Sequence, residues 1–310
     1  MIKKESCPIM KMLAVILQTE DNLTFGYGVA LAFVAVFFII LWIRRGHYGQ
    51  EASLTEKAEA KGSHGTFDEQ LLSLTYQPIF SAESPHLVGF EVFLNWKNDG
   101  GEVPAPHQGV DLSAETKAAP LMLEWMFDQT CRQIKDWSQY EVPYFMALNV
   151  PAEQLTLRTV RLLEQSIAEH AADPRILVVE VAEKQAFRTL SEMNKAMERL
   201  NRLGVRLKVD YFGDGISSLR YLSALPIESL KIAVPPDTGH NRQWEKVDSI
   251  IEIGSRLNFK IEALNVETEG QRSRIMGSGR IICVQGSLYS PPLNVSDTEG
   301  LIIRSRQVFE

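Results

Sequence analysis

Cysteine is scarce: Cys7, Cys131 and Cys283 are the only three in 310 residues. They are too few and too scattered for a disulfide framework or a structural zinc site, and a reducing compartment is the natural setting for such a chain. An excess of positive charge is missing as well. Lys and Arg total 32 against 39 Asp and Glu, a net charge of −7, which argues against a generic nucleic-acid binder and removes DNA and RNA as expected partners. No internal repeat is evident, so solenoids and propellers are set aside. With 20 Gly and 14 Pro, the chain is neither collagen-like nor low-complexity. What remains is an ordinary globular balance, 45% hydrophobic and 23% charged. Its length suits two average domains or one α/β barrel of roughly 250 residues.

The apolar residues are unevenly spread. Leu23 to Ile43 carries no charged side chain and is about as long as a helix that crosses a hydrocarbon core. Tyr27 and Trp42 stand near its ends, where interfacial aromatics belong. A buried core helix would rarely lack a polar stripe over such a length. A cleaved signal peptide would have a shorter run and a small-residue cleavage motif after it. Residues 23–43 are therefore read as a retained transmembrane helix, with 1–22 a short N-terminal segment. Arg44 and Arg45 favour a cytoplasmic side for the C-terminal part of the chain. Lys3, Lys4 and Lys11 partly oppose them, less so if the true start is Met10 or Met12. Residues 44–66 have the polar composition of a linker. A folded domain over 67–300 and a tail over 301–310 complete the division.

Within the folded part, apolar runs predict eight strands: Tyr76–Phe80, Val88–Trp96, Phe145–Val150, Ile176–Val181, Arg206–Asp210, Ser229–Ala233, Lys260–Leu264 and Ile281–Val284. Most lack alternation, as strands covered on both faces do. Helical periodicity marks Leu121–Trp137, Gln154–His170, Leu190–Leu203 and Lys246–Leu257. Strand–helix alternation of this kind specifies an α/β fold with a parallel sheet, and eight strands specify a (β/α)8 barrel of the triosephosphate-isomerase type. The connection Ser81–Leu87 is too short for a crossover helix, so the first strand should pair antiparallel with the second. A further helix is expected near Thr66–Leu74.

Polar residues punctuate these strands near their C-terminal ends: Glu91, Asn149, Glu180, Asp210 and Lys231, with Glu267 and Gln285 after the last two. Any one alone has a bland structural explanation. Together they must share a polar cavity, a metal or a ligand, because burying several unpaired charges costs too much. That end of a barrel is where active sites are built. Acids with an amide oxygen are hard donors suited to Mg²⁺ or Mn²⁺.

The motifs YQPIF, GFEVFLNW, ALNVP, VVEVAE, VDYFGDGISSLRYLSALPIESLKI, IEALNVET and VQGSLYSPPL occur in one order between Tyr76 and Leu293. In that order the chain resembles the EAL domain, named for a Glu-Ala-Leu motif in bacterial cyclic-di-GMP phosphodiesterases. The resemblance implies a barrel with an antiparallel first strand. It implies two divalent cations that clamp a phosphate oxygen and activate a water. Glu91, Asn149, Glu180 and Asp210 match the first-metal positions. Lys231 and Glu267 match catalytic positions, vestigial if the domain is silent. Gln285 and Asn95 stand at substrate-binding positions.

The departures lie on the other half of that chemistry. Tyr211 replaces the second of two adjacent aspartates, and a phenol is neutral near pH 7. Leu264 replaces a glutamate and Asn265 the glycine after it. Ala233 replaces an aspartate, and Asn95 an arginine that meets substrate phosphate. Tyr211 and Leu264 are also expected to narrow that half of the pocket. The expectation is a membrane-anchored, degenerate, non-catalytic EAL protein of the bacterial inner membrane. It would be single-pass with its barrel in the cytoplasm, acting in cyclic-di-GMP-related signalling through a protein partner or by sensing the dinucleotide. The alternative is an active metal-dependent phosphodiesterase that opens cyclic-di-GMP to linear pGpG. No cofactor is expected for function, apart from a residual single Mg²⁺ or Mn²⁺. A homodimer is also open.

Overall fold

The structure is a computed structural model that describes residues 69–84, 86–96, 119–182, 190–213, 225–237 and 241–306. The chain divides into two units, Met1–Thr66 and Phe67–Glu310, and the described residues belong to the second. The expected membrane span at 23–43 and the linker at 44–66 lie outside the described residues. Among the described residues, no helix is long and apolar enough to cross a membrane.

Eight strands close into a barrel in sequence order. They are β1 (Leu72–Ser81), β2 (Leu87–Trp96), β3 (Phe145–Asn149), β4 (Leu177–Ala182), β5 (Arg206–Asp210), β6 (Ser229–Ala233), β7 (Lys260–Leu264) and β8 (Ile281–Val284). β1 runs antiparallel to both of its neighbours, β2 and β8, and all other pairs are parallel. The described helices are α1 (Ala119–Trp137), α2 (Leu157–His170), α3 (Leu190–Leu203), α4 (Asn241–Arg256), α5 (Glu269–Met276) and α6 (Val295–Arg306).

Two expectations are corrected. Among the described residues, the helix expected near Thr66–Leu74 is a single 3-10 turn, Glu69–Leu71, before β1 begins at Leu72. Ser73 and Thr75 hid the start of that strand by interrupting its apolar run. The tail expected from residue 301 is part of α6, which runs to Arg306 and buries Ile302 completely. That helix joins α1 in the apolar cluster over the outer face of the β1–β2 hairpin. Trp137 packs edge-on against Tyr76 at 4.9 Å between ring centroids, and its Nε1 donates to Glu299 Oε1 on α6 at 3.1 Å.

Side chains alternate about the sheet, as the strand period of two requires. Outward residues such as Leu177, Val179 and Val181 of β4 belong to the large apolar cluster that also takes in α1, α2 and α3. A separate cluster of Ile79, Phe145, Ala147, Val178 and Cys283 fills the barrel floor. Gly89 makes room for it, since a Cβ there would stand 2.7 Å from the Phe145 ring.

Above the floor lies a closed ionic layer. Lys208 Nζ is 2.8 Å from Glu262 Oε1, Ser229 Oγ donates to the same oxygen at 2.6 Å, and the ammonium sits 3.9 Å from the Phe145 ring centroid. Two residues further along β5 and β6 come Asp210 and Lys231, on the same inward face and toward the C-terminal mouth.

Candidate functional site

β2, β4, β5 and β6 deliver Glu91, Glu180, Asp210 and Lys231 to one buried cage. Lys231 Nζ donates to Glu91 Oε2 at 2.9 Å and to Glu180 Oε2, and stands 3.8 Å from Asp210 Oδ1. The three acids each offer an oxygen within 4.8 Å of the others. Asn149 Nδ2, at the end of β3, donates to Glu91 Oε1 at 2.6 Å. Gln285 Nε2, just past β8, donates to Glu91 Oε2 and to Gln77 Oε1, each at 2.9 Å. The structure thus brings together Glu91, Asn149, Glu180, Asp210, Lys231 and Gln285. Gln77 of β1 joins them, although the strand-end pattern did not single it out. Its place in YQPIF, one residue off the apolar positions, was the available signal.

Burial and charge set the protonation of the cage. Burial alone would raise Glu91, but Lys231 and the amides of Asn149 and Gln285 outweigh it and hold this carboxyl below the ordinary range. Burial dominates at Glu180 and pushes it up to about 8, with Lys231 opposing. Asp210 is pushed up to about 6, again chiefly by burial. Burial works against the Lys231 ammonium, yet the three carboxylates keep its pKa well above normal. The ammonium is therefore fixed, and burial among like charges favours the neutral form of Glu180 unless a further cation compensates it.

These groups fit one divalent cation. Glu180 Oε1 is buried without a hydrogen-bond partner among the described residues, an orphaned acceptor among hard oxygen donors. A bound divalent ion would supply the positive charge that lets Glu180 ionise. At Leu264, Ala233 and Tyr211, where the resemblance would place a second ion, the side chains do not fit one. Leu264 is apolar and buried, Ala233 has no donor, and Tyr211 offers a phenol whose pKa is raised further by burial and by Asp210 and Glu91.

The remaining candidates lie elsewhere. The Glu267 side chain is exposed; its backbone N–H is bound by Gln271 Oε1 at 2.6 Å. Asn95 is buried, and its Nδ2 donates to Thr75 Oγ1 at 2.9 Å and Phe93 O at 3.1 Å. An amide so committed braces the β1–β2 hairpin. Tyr211 is 42% exposed. Its N–H donates to Asp210 Oδ1 at 2.9 Å, and its side chain is hydrogen-bonded to Asn265. Both residues hold positive φ, 50° and 58°. Asn tolerates that conformation well, whereas a bulky Tyr is an outlier there.

The fold and site define a (β/α)8 barrel with an antiparallel first strand and an acid–amide–lysine cage at its C-terminal mouth. The family model for the EAL domain matches residues 64–292, and the chain belongs to the EAL domain family. The bifunctional diguanylate cyclase/cyclic di-GMP phosphodiesterase MucR of Pseudomonas aeruginosa is 29% identical over 262 residues, which is 81% of this chain and 38% of MucR. The oxygen sensor protein DosP of Escherichia coli is 32% identical over 238 residues, 74% of this chain and 29% of DosP. The chain spans only about a third of the length of these curated relatives. Among solved structures, the MucR phosphodiesterase in complex with c-di-GMP superposes with a TM-score of 0.70 at 28% identity, covering 80% of this chain and 99% of that one. The Xanthomonas citri FimX EAL domain, also in complex with c-di-GMP, gives 0.61 at 16% identity over 81% and 97%, and shows the shared fold.

Proposed function

We propose that this chain is a membrane-anchored EAL-domain protein that takes part in cyclic-di-GMP signalling by binding, without hydrolysing the dinucleotide. What it binds is cyclic-di-GMP itself or a protein partner. The observation that carries this reading is the state of the second-metal half. Tyr211, Ala233 and Leu264 offer no carboxylate there, and Asn95 spends its amide on Thr75 and Phe93. With one cation, the cage could hold a phosphate oxygen but would lack the paired clamp that activates water and stabilises both reacting oxygens. Anchoring rests on the uncharged stretch 23–43 and on Arg44 and Arg45 after it, which favour the barrel on the cytoplasmic side of a bacterial inner membrane.

A second reading has its own support. Glu91, Asn149, Glu180, Asp210 and Lys231 are all in one place, so a phosphodiesterase working with a single Mg²⁺ or Mn²⁺ has its ligand set. In that case the ion would supply Lewis acidity, with Lys231 holding the attacking water. Incubating the full chain with cyclic-di-GMP and Mn²⁺ and measuring linear pGpG decides between them. No product above a protein-free control is expected, and steady multiple turnover would overturn the first reading. Cell fractionation checks the anchor: the full chain is expected in the membrane pellet, and its recovery in the soluble fraction would count against a span at 23–43.

A further inference from the structure

Tyr211 is the one exposed large aromatic among the described residues, and it is held in an unusual way. It comes directly after β5, while its hydrogen-bond partner Asn265 comes directly after β7. β6 lies between those strands and ends at Ala233. The tyrosine therefore reaches across the end of β6 at the level where Ala233 presents only a methyl group. Three departures from the family pattern form one arrangement: a small residue to cross at Ala233, an aromatic to cross it at Tyr211, and an amide at Asn265 hydrogen-bonded to the phenol. Both ends are backbone positions of positive φ. Strain of this kind persists where the surroundings over-determine it, and it clusters at ligand sites. The N–H of Tyr211 is fixed on Asp210, so the platform is tied to the carboxylate cage itself.

We propose that Tyr211 is a base-stacking residue: the Tyr211–Asn265 bridge presents an aromatic face at the barrel mouth to the purine of a guanine nucleotide whose phosphate faces the cage. This deepens the binding reading above and rests on it. A position that carries a metal-binding carboxylate in active relatives here carries a ring. A base has a π-face that stacks on an aromatic side chain whatever its hydrogen-bonding edge. The hydroxyl anchor fixes the ring in place before the ligand arrives, which lowers the ordering cost of binding.

The test is calorimetric titration of the full chain in detergent with cyclic-di-GMP and Mn²⁺, for the native sequence, Tyr211→Leu and Tyr211→Phe. Tyr211→Leu is expected to weaken binding roughly ten- to hundredfold, the range of a lost base–aromatic stack. Tyr211→Phe keeps the ring and is expected to stay within about threefold of the native chain. Mn²⁺ affinity measured without nucleotide should be the same in all three, which separates stacking from damage to the cage. Hypochromism of the guanine absorbance on binding gives a second readout, retained in Tyr211→Phe and lost in Tyr211→Leu. Equal affinities for the native chain and Tyr211→Leu would overturn the proposal, as would no binding by the native chain at millimolar ligand. Formation of pGpG in the same samples would overturn the non-hydrolysing reading while leaving the comparison of Tyr211→Leu with the native chain decisive for stacking.

Discussion

At the scale of single residues, Lys231 is the hinge of the site. Its ammonium is the cation within hydrogen-bond reach of Glu91 and Glu180. Replacing it with methionine keeps much of the volume and removes the charge, leaving Glu91 without a buried counter-charge. Breaking a buried pair from one side costs about 3–5 kcal/mol. We expect Lys231→Met to lose that much in urea unfolding with EDTA present, and Mn²⁺ to return part of it. A loss below about 1 kcal/mol would show that the pair is not structurally required.

The same cage sets a pH dependence. Glu180 has its folded pKa raised to about 8, against roughly 4.3 in an unfolded chain. The folded state therefore holds an extra proton across that window, and stability falls as pH rises through it. Asp210, raised to about 6, adds to the fall in its lower part. Glu91 and Glu262 are lowered, so their stabilising contribution is lost only at more acid pH. In EDTA the urea midpoint should decline from about pH 5.5 to about pH 8, and saturating Mn²⁺ should flatten the decline. A midpoint that rises over this range without metal would contradict the assigned directions.

Much of the cage was legible in the sequence, because a charged residue inside a Val- and Ile-rich strand has few places to go. Lys208 and Glu262 sent the same signal and were missed. They lie two residues short of the strand ends, and their pairing depends on β5 and β7 flanking β6, which brings both side chains together beside Ser229. Glu267 stands outside the cage with an exposed side chain, and motif position alone does not say which way a loop turns it.

At the scale of elements, β5 to β8 fall where their apolar runs placed them. β1 starts earlier and α4 starts at Asn241, earlier than the periodicity from Lys246 suggested. The first three residues of α4 are polar, but the buried Trp244 lies on the stripe of Val247 and Ile251, and the spacing could have been followed back to it. The turn after β8 was not readable, yet it positions Gln285. Val266 N donates to Gln285 O at 3.1 Å, and Gln285 N donates to Ala263 O at 2.9 Å. The next residue, Gly286, has φ 157°, and a Cβ there would stand 2.1 Å from Val266 O and 2.4 Å from Val266 N. Backbone atoms on a central strand exit cannot move aside as a flexible side chain would. Gly286→Ala is expected to cost at least about 2 kcal/mol and to weaken Mn²⁺ binding by disturbing the amide on Glu91. Calorimetric unfolding and metal titration read the two effects separately. Unchanged values in both would mean that the loop repacks freely.

At the scale of the whole molecule, the barrel and its antiparallel opening strand were specified by strand count and by one short connection. The proposed loss of hydrolysis rests instead on a handful of side chains at the barrel mouth. That separation can be tested by reversal. A chain carrying Asn95→Arg, Tyr211→Asp, Ala233→Asp, Leu264→Glu and Asn265→Gly together should regain the second-metal half. It adds three carboxylates to a mouth that already crowds Glu91, Glu180 and Asp210, so without metal it should be less stable than the native chain. With Mn²⁺ it should bind two ions per chain where the native chain binds one, and it should convert cyclic-di-GMP to pGpG. The single substitutions should each remain inactive, because groups that act as one constellation do not contribute additively. Tyr211→Asp alone, for example, adds a carboxylate with no second cation ligand at Leu264 to complete the site. If the combined chain folds, binds two Mn²⁺ and still yields no pGpG, then those five positions do not account for the proposed loss of hydrolysis.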